Sequence, residues 1–144
     1  MNNILDCQCS SKWAGFAPLV LRLVTGIIFA LHGYQKLTEM GIAGTAGFLD
    51  GIGFPAAPFF AVVLIVAELL GGILLILGVF THWVAKILAV VAVVALVTVH
   101  LGNGFFISGG GYEYILLILA ASISLMITGP GKWALDGKIF KRGE

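Results

Sequence analysis

Four apolar blocks alternate along this chain with short segments rich in glycine, proline, asparagine or charge. Each block is close to the twenty or so residues that a helix needs to cross hydrocarbon. They fall at residues 14–37, 57–80, 84–101 and 112–128, and the pattern predicts four membrane-spanning helices. Pro58 suits the first turn of the second helix, where a missing N–H is not needed. Gly129, Pro130 and Gly131 form a stop after the fourth. The connection 38–56 is too polar and too glycine-broken to span. Within it, residues 45–52 put Phe48, Leu49 and Ile52 on one side and Asp50 towards another, which predicts a short interfacial helix between spans one and two. The connection 102–111 reads GNGFFISGGG, and its Phe105, Phe106 and Ile107 are expected to fold back over the mouth of the bundle.

Composition changes this picture only by sharpening it. Hydrophobic residues make up 60% of the 144 and charged residues 10%, against about 25% charge in soluble domains. The expected fold is therefore an all-α integral membrane protein, a four-transmembrane-helix bundle forming one domain over residues 1–144. The first block is interrupted by Arg22 and lacks an A-x-A cleavage site, so it reads as a retained span rather than a signal peptide. A net charge of +1 with no basic run among aromatics gives no reason to expect a nucleic-acid partner. Lys12, Lys86, Lys132, Lys138, Lys141 and Arg142 fall on one side of the predicted topology, and only Lys36, with Glu39 and Asp50, on the other. The excess of Lys and Arg predicts that both termini, residues 1–13 and the basic tail 129–144, are cytoplasmic. Trp13, Trp83 and Trp133 share that face, as an interfacial belt would place them. Cys7 and Cys9 cannot complete a four-ligand zinc site, and a disulfide across one residue is strained; they read as reduced thiols, and no metal site is predicted.

The polar residues inside the apolar blocks carry the candidate chemistry, since a charge at that depth costs a few kcal/mol or more. Arg22 and Glu68 lie near the middle of spans one and two. Counting about 1.5 Å per residue from the cytoplasmic end puts them about 12 Å and 18 Å deep, which predicts a buried Arg22–Glu68 pair. His32 and Lys36 share a helix face with Arg22 nearby, Gly71 and Gly72 make the Glu68 face small, and span three offers His100 beside Ala89, Ala92 and Val93. In span four Glu113, Ala120, Ala121, Ser124 and Thr128 form a small and polar stripe. The expected arrangement is a deep ion pair below an outer layer of His32, Lys36, His100 and Glu113. Blander readings stand beside it: an ion pair that only sets helix register, a snorkelling Lys36, hydrogen-bonded core histidines, and a Glu113 favoured simply by a helix start.

Arg22, HGYQK at 32–36, ELLGG at 68–72, GYE at 111–113 and GPGKWALD at 129–136 together resemble the DoxX family of small bacterial membrane proteins, over about residues 18–136. The resemblance implies a four-helix fold in the inner (plasma) membrane, and some relatives are associated with quinone-linked oxidation of sulfur compounds or with redox-stress complexes. The leading expectation is a membrane subunit of a quinone-linked oxidoreductase that binds a quinone or similar lipophile inside the bundle. Arg22 and Lys36 would bind the ligand, and Glu68, Glu113, His32 and His100 would relay protons. No flavin fingerprint or iron–sulfur cysteine set occurs, so electrons would come from a partner subunit or a small molecule. The alternatives are a small-anion transport or binding module, which would need a homo-oligomer, and a structural or assembly subunit. Haem held by His32 and His100 is discounted, because both have bulky or charged neighbours.

Overall fold

The computed structural model describes residues 11–139. Cys7, Cys9, Lys141 and Arg142 lie outside the described residues. Every regular element among the described residues is helical. A single turn, α1 (Ser11–Ala14), leads into α2 (Phe16–Gln35); a π-helical turn (Lys36–Met40) and a sharp bend at Gly41 then start α3 (Gly41–Gly51). Helix α4 (Ala57–Leu77) and helix α5 (Thr81–Ala95) follow, the latter ending in a second π-helical turn (Leu96–His100) and a 3₁₀ turn (Leu101–Asn103). Helix α6 (Glu113–Thr128) and a further turn, α7 (Asp136–Ile139), are the last helical elements among the described residues.

Among the described residues, three stretches are long and apolar enough to cross a membrane: Phe16–Gly51, Ala57–Leu77 and Thr81–Asn103. The 16 residues of α6 are apolar but shorter, about 24 Å end to end. The chain is a helical membrane protein, and its hydrophobic residues face outward in large numbers, as expected where the solvent is lipid. Valines such as Val20, Val90 and Val97 are more than half exposed.

Helix α2 packs on α4, α4 on α5, α5 on α6, and α6 back on α2. At the centre, Phe29, Leu75, Leu88, Ala92, Ile118 and Leu125 make one buried cluster. The tightest seam joins α2 to α4, because glycines let the two backbones touch. A Cβ at Gly72 would fall on the Ala30 amide nitrogen, and one at Gly33 on that of Leu69. One at Gly26 would come within 2.8 Å of the Gly72 carbonyl oxygen. These contacts fix the register of the antiparallel pair: Gly33 is level with Leu69, Gly26 with Gly72–Ile76, and Arg22 with Gly78.

Helix α3 lies against α4 rather than continuing α2, with Leu49 buried against Ala57 and Ala61. It begins four residues earlier than expected, since Thr45 Oγ1 bonds back to the Gly41 carbonyl at 2.9 Å and closes the first turn. Pro58 stands in the first turn of α4, and Gly129 ends α6 at a positive φ of 79°, both as the sequence predicts.

Candidate functional site

The predicted Arg22–Glu68 pair does not form. Register is the reason. Counting from the ends of the apolar blocks set the two charges about 6 Å apart in depth, but the glycine seam slides α2 along α4 until Arg22 is level with Gly78. Glu68 is ten residues back along α4, about 15 Å away. Both side chains are nonetheless buried, at 1% and 7% exposure.

Arg22 instead anchors the segment after α6. Its Nη2 donates to the Trp133 carbonyl at 3.4 Å, its guanidinium fills the space a side chain at Gly78 would take, and Asp136 supplies the counter-charge. Nε and Nη1 of Arg22 make no hydrogen bond among the described residues. The Asp136 carboxylate accepts from the Phe80 amide at 2.6 Å and the Thr81 amide at 3.0 Å, capping the start of α5 from a distant part of the chain. Backbone bonds from Lys132 to Gly15, Leu135 to Leu77 and Asp136 to Gly78 strap the segment across the ends of α2 and α4. The GPGKWALD motif is thus a clasp. Trp13, Trp83 and Trp133 lie at this same end of the helices and are exposed, as expected of a shared face.

Glu68 finds Lys36. The ammonium donates to Oε2 at 2.6 Å, and the side chains are only 9% and 18% exposed. Lys36 opens the first π-helical turn, a widening that redirects side chains relative to a regular helix. Both groups border a half-open cavity of about 420 Å³ between α3, α4 and α5. Apolar side chains including Phe48, Leu64, Val91 and Val94 form most of its wall, and Thr45, Thr98 and His100 add polar atoms. The second π-helical turn carries Thr98 and His100 to the same cavity, so both departures from regular helix flank it. An apolar chamber of this volume with a few convergent polar groups has the form of a small-molecule site. An ion pair at its wall is a neutral unit that can trade hydrogen bonds with a ligand.

The remaining expected site residues separate. His32 points outward, with Nδ1 2.9 Å from the Ile28 carbonyl of its own helix. Its neighbour Gly33 occupies the packing seam, and a residue one step away on a helix faces about 100° elsewhere. Glu113 accepts from the Ile107 amide at 2.6 Å and so holds the loop before α6, which is not part of the cavity wall. That loop does not cover the helices: Phe105, Phe106 and Ile107 are 47%, 69% and 57% exposed, and bonds from Tyr112 to Gly104 and Glu113 to Phe105 close it upon itself. Ala89 and Ala92 are buried as expected, whereas Val93 is 44% exposed. On α6 the inward residues are Ile118, Ser122 and Leu125, while Ser124 and Thr128 border a separate surface groove of about 700 Å³ beside α2. Sequence reasoning missed Thr45 and Thr98. Each bonds its hydroxyl to a carbonyl four residues back, a habit of helical threonines that gives no positional signal in the sequence.

A Bacillus subtilis (strain 168) protein named "Putative oxidoreductase CatD" is 40% identical over 85% of this chain and 87% of its own. A Haemophilus influenzae protein described only as uncharacterized is 36% identical over 99% of this chain and the whole of its own. The Escherichia coli (strain K12) inner membrane protein YphA is 32% identical over 82% of this chain and 86% of its own. No solved structure matches significantly. The DoxX family model matches residues 17–101, which contain α2 through α5 and every side chain of the cavity. The chain belongs to the DoxX family.

Proposed function

We propose that this protein is the membrane subunit of a redox system and that its cavity holds the head group of a quinone or similar lipophile. The observation that carries this reading is the Lys36–Glu68 ion pair, 2.6 Å long, in the wall of an otherwise apolar chamber of about 420 Å³. A lipid-soluble ring with polar oxygens needs that combination: apolar surface for the ring and tail, and charge-assisted hydrogen bonds at one edge. Lys36 is the donor to a ligand oxygen, Glu68 holds or passes a proton beside it, and His100 is a second group at the wall able to accept one. The oxidoreductase name of the Bacillus subtilis relative supports a redox role. Electrons would be delivered by a partner subunit or a small molecule, because the sequence has no flavin or iron–sulfur signature.

In this reading the single domain spans the inner membrane four times, with α6 as a short fourth span and α3 in the interface on the side opposite the termini. The distribution of Lys and Arg supports cytoplasmic termini. Arg22, Glu113 and His32 are left out of the ligand-binding set, since the first two hold the clasp and a loop and the third faces outward.

The test is binding of a short-tailed quinone to the purified protein in lipid nanodiscs. Glu68→Gln should weaken it at least about tenfold, the value of one charge-assisted hydrogen bond. Unchanged binding and unchanged quinol oxidation in that variant would remove the reading.

A further inference from the structure

The polar side chains of the cavity wall share a property that narrows the ligand: apart from those of Lys36, their hydrogens are already committed. The Thr45 hydroxyl donates to the Gly41 carbonyl at 2.9 Å, and that of Thr98 to Val94 at 2.7 Å. Lys36 directs one hydrogen to Glu68 at 2.6 Å. His100 Nδ1 lies 2.8 Å from the Gly110 carbonyl, and a carbonyl oxygen only accepts, so Nδ1 bears the proton. In the neutral ring that leaves Nε2 with a lone pair and no hydrogen. Asn103 stiffens the arrangement, its amide donating to Val99 at 3.0 Å and to the same Gly110 carbonyl at 3.4 Å.

What the wall can still offer is mainly acceptors: Nε2 of His100, the second oxygen of Glu68 and the lone pairs of two threonine hydroxyls. Donors are limited to the remaining hydrogens of Lys36. An oxidised quinone has carbonyl oxygens, which the Lys36 hydrogens can serve but which leave the other acceptors of the wall without a donor. Its reduced form has two hydroxyls and supplies the missing hydrogens.

We infer that the cavity selects the reduced, hydroxyl-bearing form of its ligand, with His100 Nε2 accepting a hydrogen bond from a ligand hydroxyl. This rests on the reading of the cavity as a quinone-class site. A wall acceptor that a ligand covers without offering a hydrogen gives up its other partners with nothing in return, so a ligand lacking the hydroxyl is disfavoured.

The experiment uses the full chain in nanodiscs under anaerobic conditions. Three ligands with the same decyl tail are titrated calorimetrically: a benzohydroquinone, its quinone, and its 1,4-dimethyl ether. The hydroquinone is expected to bind at least about tenfold more tightly than either of the others. In His100→Phe, the ratio of hydroquinone to quinone affinity should shrink to about threefold or less. Equal affinities in the unaltered protein overturn the inference but leave a quinone-class site standing, and this comparison decides even if the variant does not fold. A folded His100→Phe with the full preference also overturns it. Binding of none of the three removes both the inference and the proposed function.

Discussion

Lys36 Nζ lies 2.6 Å from Glu68 Oε2, across 32 residues of sequence. The contact exists because Gly33, three residues before Lys36, packs directly on Leu69, one residue after Glu68. A seam of small residues thus decides which charges meet, and the charges themselves follow. The same seam carries Arg22 away to the clasp at the other end of the helix pair.

Breaking that pair one side at a time should be worse than removing it whole. Lys36→Met leaves a buried carboxylate alone and is expected to destabilise the protein by about 3 kcal/mol. The double variant Lys36→Met, Glu68→Leu should recover most of that loss in thermal unfolding, yet bind no quinone. A double variant as unstable as the single one would mean that the ion pair itself holds the fold.

Gly72→Val should separate α2 from α4. The added side chain meets the Ala30 amide and the Gly26 carbonyl, which belong to backbone and cannot rotate aside. Overpacking of this sort costs about 1–3 kcal/mol. A similar change at Gly47, where a side chain would meet nothing within 4 Å, should be close to neutral. Equal losses at the two positions, measured by unfolding in detergent, would contradict the seam.

Asp136→Ala removes the cap from α5 and the counter-charge from Arg22. Loss of a helix cap is worth about 1–2 kcal/mol. The clasp should also open, which limited proteolysis after Gly131 would detect as faster cleavage. Asp136→Asn, which keeps one acceptor, should fall between the two proteins.

His32→Ala should do little, within about 0.5 kcal/mol in stability and less than twofold in quinone affinity. Its ring faces outward and bonds only to its own helix. A large loss of binding in this variant would return His32 to the site.

Filling the chamber offers a test independent of charge. Ala67 stands in the cavity wall one position before Glu68, and Ala67→Phe adds bulk to the space while leaving the ion pair chemically intact. Quinone affinity should drop at least about tenfold with a small change in unfolding temperature. Undiminished affinity would place the ligand elsewhere.

Membrane class, helix positions and the presence of ionisable residues inside the apolar runs were all legible in the chain, because each rests on a local signal. An apolar run of about twenty residues can only be a span or a buried core. Pro58 and Gly129 mark helix ends through their own backbone preferences. An ionisable residue inside such a run stands out against lipid wherever its partner is. That His32 and Glu113 lie away from the cavity was not legible. Helical phase within one segment says which residues share a face, but not which face turns inward once a glycine seam has been chosen.

The sequence by itself determined a helical membrane protein with charges it had to satisfy, since the hydrophobic effect and the backbone's need for hydrogen bonds act residue by residue. Only the tertiary structure decided that Glu68 meets Lys36, that Arg22 holds the Trp133–Asp136 clasp, and that two π-helical turns border one chamber. Those outcomes depend on the sliding register of α2 on α4. Close backbone contact at Gly26, Gly33 and Gly72 sets that register, and it is a property of two helices together that neither one carries alone.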